Sequence, residues 1–297
     1  MSRIIRGVSK NARFFLVDTT DIVQEALNIH KCSPTAIDAF GRLLTAGVIM
    51  GSTLKGKDVL TLRTDTDGLL NNMVVTATAD GGVKGYLSNP SADVPLRDDG
   101  KSNVGALVGR GTMKIIKDMG LKEPYVGIST VDTGEIAQDL AYYFYNSEQT
   151  PTVIALGVKL KDANTVACAG GYMLQLLPDA EDEFITALEN KIQAIRPMTE
   201  LMMGGMDLER ILKLLYEDMN SEDNEKLVES YEILEEKEVS YKCDCNKDKF
   251  YKGLITLGKD ELNKIFAEEE KIEAECHFCG KRYEFKKEDF KDILEVK

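Results

Sequence analysis

The spacing of apolar residues along this chain changes period three times, and each period predicts a different kind of element. Near the start, apolar positions alternate over residues 4–8 and 13–17 around a polar turn at 9–11, which predicts two short paired strands. Thr19, Thr20 and Asp21 offer capping chemistry for a helix running toward His30. Ser33-Pro34 then opens a longer helix through Ala36, Phe40, Leu43, Leu44 and Val48. From Val59 the period returns to two. Strands are predicted over 60–64, 73–78 and 83–87 with turns at Asp67-Gly68 and Asp80-Gly81-Gly82, an antiparallel meander. Further strands are expected over 112–117, 125–131, 152–160 and 165–177, and an amphipathic helix over 135–145. Helices and antiparallel strands mix without strict alternation, so the class is α+β.

Beyond Ala180 the pattern turns helical. Phe184, Leu188, Ile192 and Ile195 form one apolar stripe, stopped by Pro197, and Leu208, Ile211, Leu212, Leu215 and Met219 form another. Residues 221–238 hold eight carboxylates and two lysines, with Leu227, Val228, Ile233 and Leu234 among them. That stretch is expected to be a helix leaning on tertiary contacts. Met198, Met202, Met203, Met206 and Met219 fall in this region. They suit the packing of a helical linker, and they equally suit an adaptable apolar binding surface.

Charge changes the picture by its placement. The net charge is −13, yet residues 181–240 alone carry 17 Asp/Glu against 6 Lys/Arg, between two nearly neutral ends. Such a segment repels itself and is poised to open when its packing partner leaves. On this reading, replacing Glu225, Glu229, Glu232, Glu235 and Glu236 by glutamine favours the docked state. The chain therefore divides into a core α+β domain over 1–180, a helical acidic linker over 181–240 and a small C-terminal domain over 241–297. No apolar leader and no long uncharged apolar run is present, so a cytoplasmic protein without a membrane span is expected.

Four of the six cysteines lie in that last segment, as Cys243-Asp244-Cys245 and Cys276-His277-Phe278-Cys279, with Gly280 following. Two thiolate pairs about 30 residues apart are the pattern of one Cys₄ zinc site made of two corners. His277 is adjacent to Cys276 and cannot easily share its corner, so the ligands are four sulfurs: Cys243, Cys245, Cys276 and Cys279. The site reads either as an ordinary structural ribbon or as a redox device. Cys32 and Cys168 stand alone and are expected to be small buried hydrophobes. Gly105, Gly109 and Gly111 lack the order and the Lys-Ser/Thr ending of a phosphate loop. With two histidines and four cysteines on one metal, no catalytic constellation can be built, so no enzyme is expected. The rival is a nucleic-acid-binding zinc ribbon using Lys281, Arg282, Lys286 and Lys287, against which stand the acidic linker and an isoelectric point near 4.8.

The sequence resembles the 33 kDa redox-regulated heat-shock chaperone family of bacteria over its whole length. The resemblance is carried by the two cysteine pairs, by Leu257-Gly258-Lys259-Asp260-Glu261-Leu262 between them, and by Tyr283 and Phe285 after them. Gly134-Glu135-Ile136-Ala137-Gln138-Asp139-Leu140, Ser147-Glu148-Gln149 and the run from Gly170 to Pro178 support it. The resemblance implies a chaperone that needs no ATP and holds unfolding clients. The reduced form binds one zinc and is inactive. Oxidation would link Cys243 to Cys245 and Cys276 to Cys279, release zinc, unfold the small domain and linker, and yield a homodimer that binds clients. No nucleic-acid partner is implied.

Overall fold

The computed structural model describes residues 1–217, 219–220, 226–227 and 229–294, and the chain divides into two compact units, Met1–Tyr241 and Lys242–Lys297. The first unit opens with β1 (Arg3–Ser9) and β2 (Ala12–Asp18), paired as the alternation requires, followed by α1 (Thr20–His30) and α2 (Pro34–Gly51). The start of α2 is set by Ser33, whose hydroxyl accepts from the Ala36 amide, and by Pro34 in its first turn. The meander follows as β3 (Val59–Thr66), β4 (Asn72–Thr78) and β5 (Gly82–Leu87). After the short α3 (Val104–Val108) come β6 (Gly111–Asp118), β7 (Tyr125–Val131), α4 (Ile136–Ser147), β8 (Thr152–Asp162) and β9 (Thr165–Leu176). Gly111 opens a strand rather than a helix, which leaves the glycine-rich stretch without phosphate-loop geometry.

The acidic region begins with α5 (Asp182–Ala194), α6 (Met198–Met203) and α7 (Leu208–Tyr216), then β10 (Met219–Asn220) paired with β11 (Lys226–Leu227). It ends with β12 (Tyr231–Glu238) and β13 (Ser240–Tyr241). Two sheets result, ordered β12-β1-β2-β9-β8 and β13-β5-β4-β3-β6-β7. α2 is buried along nearly its whole length because it touches strands of both sheets, and this is why its sequence is apolar on every side. The opposite face of the five-stranded sheet, lined by Ile5, Phe14, Leu16, Tyr172 and Leu174, is covered by the apolar stripes of α5 and α7 through Phe184, Leu188, Leu208, Ile211, Leu212 and Leu215.

Two expectations change here. Residues 231–238, expected to be helical, form a strand, and Met219, expected on a helical stripe, pairs with Leu227 in a two-stranded ladder. Residues 221–225 and 228 of the expected helix lie outside the described residues. The reason is tertiary: β1 offers an open edge, and β12 satisfies it from Arg3 opposite Glu238 to Ser9 opposite Tyr231. A Cβ on Gly7 would stand 2.0 Å from the Glu232 carbonyl oxygen, so only glycine lets the two backbones approach at the bulge after Arg6.

Three glutamates of this segment, Glu229, Glu235 and Glu236, have partners on β1 or the turn after it. Glu235 lies 2.5 Å from Arg6 Nε, Glu236 accepts from Arg3 Nη1 at 2.7 Å, and Glu229 accepts from the Asn11 amide and Nδ2 at 3.1 and 3.2 Å. Arg3 also reaches Glu209 of α7 at 2.5 and 2.6 Å. Neutralising Glu229, Glu235 and Glu236 is therefore expected to loosen the docked segment, the reverse of what the charge count suggests, while Glu225 lies outside the described residues.

The second unit is small: α8 (Lys247–Ile255), α9 (Lys259–Glu268), and a hairpin of β14 (Lys271–Glu275) and β15 (Arg282–Lys286). Among its described residues the buried apolar side chains are Leu262, Phe285 and Phe290, together with Cys276.

Candidate metal centre

The second cysteine pair sits in the turn of the β14–β15 hairpin. The Cys276 amide donates to the Lys281 carbonyl at 2.9 Å, and the Gly280 amide donates back to the Cys276 carbonyl at 2.8 Å. Gly280 has φ +69°, a left-handed conformation that closes the turn without a side-chain clash. The first pair lies on the non-helical stretch between β13 and α8, and it ends at Asn246, whose side chain accepts from the Lys249 amide and caps α8. Cys243 and Cys245 face the hairpin, and Asp244 between them pairs with Lys249.

The four sulfurs lie within 4.8 Å of one another, with Cys243 and Cys276 at 3.7 Å and Cys245 and Cys279 at 3.4 Å. Zinc–sulfur bonds of about 2.3 Å in a tetrahedron put ligands about 3.8 Å apart, so the group has the donor set and the size of a zinc site. His277 is exposed and outside it. Tyr283 of β15 donates its hydroxyl to the Cys245 carbonyl at 3.1 Å and stands 3.2 Å from its sulfur. Its ring packs on Phe250 of α8, centroids 4.9 Å apart, so one side chain ties helix, hairpin and ligand together.

The environments of the four thiols differ. Burial pushes Cys245 up, but hydrogen bonds from Tyr283 and Cys279 outweigh it and bring the thiol down to about 7. Burial, with the neighbouring thiols, pushes Cys279 up to about 12, and burial also raises Cys243. All six cysteines are unpaired thiols. Cys32 and Cys168 are buried in the first unit, as expected, and burial holds their thiols up at about 12 and about 11, protonated and inert.

The methionines divide. Met198 and Met219 are buried under the five-stranded sheet, Met202 and Met206 are half-buried beside the same cluster, and Met203 is 59% exposed. The basic residues near the second cysteine pair do not form a stripe of one sign: Arg282 pairs with Glu275 at 2.8 Å, and Lys271 bridges Glu273 and Glu284 at 2.6 Å. No helix among the described residues is long and apolar enough to cross a membrane. The segments flanking the resemblance serve the first unit. Asp139 Oδ1 accepts from the amides of Asp132 and Thr133 ahead of α4, and Glu148 accepts from Tyr143 and Lys117 at 2.6 Å each.

A sequence model described as the Hsp33 protein family matches residues 2–286. A 33 kDa chaperonin of Clostridium botulinum (strain Loch Maree) is 39% identical over 297 residues, covering 99% of this chain and 97% of that protein. One from Clostridium perfringens (strain SM101) is 41% identical over 300 residues, covering 99% and 92%. Among solved structures, the 33 kDa chaperonin of Thermotoga maritima superposes with a TM-score of 0.87 at 31% identity, covering 99% of this chain and 98% of that one.

Proposed function

The chain belongs to the Hsp33 family of redox-regulated chaperones, and from that premise we propose how its own residues carry the switch. It is a chaperone rather than an enzyme, and its four-cysteine cluster is the zinc site of that family. Zinc, when bound, holds the four sulfurs as thiolates and crosslinks the small unit. Cys243, Cys245, Cys276 and Cys279 are the ligands, and they are also the oxidisable groups. A peroxide takes two electrons from one thiolate to give a sulfenic acid, and the neighbouring thiolate displaces hydroxide to close a disulfide. The pairs are Cys243–Cys245 and Cys276–Cys279, each within one chain corner. A ring as small as the first is strained and readily reduced, which suits a regulatory bond.

Loss of the metal removes about 10–16 kcal/mol of folding free energy from a unit whose buried core, among the described residues, is three hydrophobic side chains and one ligand. The small unit over 241–297 then unfolds. The segment over 181–240 loses its anchor, because β12 ends only at Glu238 and Cys243 follows directly after β13. The domain over 1–180 keeps its two sheets. Releasing α5–α7 uncovers the apolar face they cover, together with Met198, Met202, Met206 and Met219, for unfolding clients. Oxidised chains pair as homodimers, and the setting is the reducing cytoplasm, where paired thiols persist until stress oxidises them.

The observation that carries this reading is the four thiols gathered within 4.8 Å on the smaller unit. It is tested by following zinc release, disulfide mapping of non-reduced peptides and suppression of aggregation through one oxidation course. The three must rise together, with the two neighbouring pairs mapped. Holding activity in the fully reduced, zinc-loaded protein would overturn it.

A further inference from the structure

β12 is held to β1 in a way that shows what the β1 edge accepts. The contact is backbone to backbone over the full length of β1, closest where Gly7 meets the Glu232 carbonyl. The side chains of Glu232, Ile233, Leu234, Glu236 and Glu238 remain largely exposed, so apart from Tyr231, whose ring packs on Phe14 and Tyr216, little apolar burial fixes β12 in place. Its carboxylates are matched instead, Glu235 on Arg6 and Glu236 on Arg3. Beside the strand runs an open groove of about 690 Å³ lined by Val8, Arg13, Phe15, Thr53, Leu177 and Leu234. When β12 leaves and takes Leu234 and Glu235 with it, β1 presents a row of unpaired N–H and C=O groups and two arginines, with Val8, Phe15 and Leu177 of the groove beside them.

We propose that the edge of β1 covered by β12 is a client-binding surface of the activated protein, and that an extended, carboxylate-bearing segment of an unfolding protein adds there as a replacement strand. This rests on the reading that oxidation frees the linker. Unfolded chains carry unsatisfied backbone groups, and a vacated sheet edge satisfies them whatever the side chains are, which gives broad client range. Arg3 and Arg6 bias the choice toward segments with neighbouring carboxylates, as Glu235 and Glu236 of β12 are. The groove takes apolar side chains on the same strand. β12 thus acts as the resident occupant, and activation exchanges one strand for another.

The test uses the full chain with Ile233→Pro and Leu234→Pro together. The two positions lie at the bulge opposite Arg6 and Gly7, and prolines there remove two N–H groups and fit badly within a paired strand. Both side chains are exposed, 39% and 61%, so the core is spared. In the reduced, zinc-loaded variant, amide exchange over 3–9 is expected to be about tenfold or more faster than in the parent. Adding reduced, carboxymethylated α-lactalbumin, a permanently unfolded acidic protein, is expected to restore that protection without oxidant. Arg3→Gln with Arg6→Gln in the same background is expected to weaken binding about tenfold. The proposal is overturned if the variant exposes β1 but fails to bind, or if the client binds while the β1 amides still exchange fast. Binding by the variant with none by the oxidised parent would leave the edge standing and sink the oxidation switch instead.

Discussion

Arg42 on α2 binds two carboxylates at once, Asp38 with Nε at 2.8 Å and Glu135 with Nη1 at 2.6 Å, with Asp38 almost fully buried. Removing the cation strands both carboxylates, so Arg42→Ala is expected to cost roughly 3–5 kcal/mol in urea unfolding while zinc content stays unchanged. Tyr283 is the corresponding residue at the sulfur cluster. Tyr283→Phe removes the hydrogen bond that fixes Cys245, and zinc affinity measured by chelator competition is expected to fall about 10–100-fold. Cys32→Ser with Cys168→Ser touches neither, and one zinc per chain is the expected result of metal analysis. The ligand cysteines were legible in the sequence because their spacing is a local constraint. Arg42 was not, because Glu135 is separated from it by 93 positions and meets it only in the fold.

The segment from α7 to β12 shows the same contrast at the level of elements. Its apolar stripes correctly announced docking helices, since a helix with one apolar face must bury it. Its charges misled, since acidic residues close in sequence are paired in space with Arg3 and Arg6. Glu235→Gln with Glu236→Gln is accordingly expected to lower the oxidant dose for half-maximal holding activity, with zinc release unchanged. High salt should act in the same direction. The hydrogen bond from Arg3 holds the Glu209 carboxyl below its usual range. A depressed folded-state pKa contributes stability that is present above the ordinary glutamate value and lost as pH falls through the depressed one. Amide protection of α7 should therefore decline below about pH 4, and Arg3→Gln should remove that pH step.

At the scale of the whole molecule, two units of unequal core size give unequal resistance to losing a crosslink. The first has buried clusters on both faces of its five-stranded sheet, whereas the second buries Leu262, Phe285 and Phe290. Ordering a small unit costs about 1.5 kcal/mol per residue, close to what its apolar burial returns, so the metal decides whether it folds. Oxidised protein is expected to keep slow exchange over residues 60–87 and lose it beyond about 181. Uniform loss along the chain would contradict the division proposed for the switch.

Wherever a constraint was local, the sequence alone determined the outcome: strand alternation in the meander, the Ser33-Pro34 helix start, and the thiolate pairs that set the metal. Only the tertiary structure decided the rest. A strand's edge is satisfied by whichever segment reaches it, so β1 turned residues 231–238 from an expected helix into β12. Charge patterning likewise has no sign of effect until its partners are placed, because electrostatic energy depends on distances that the chain order does not contain.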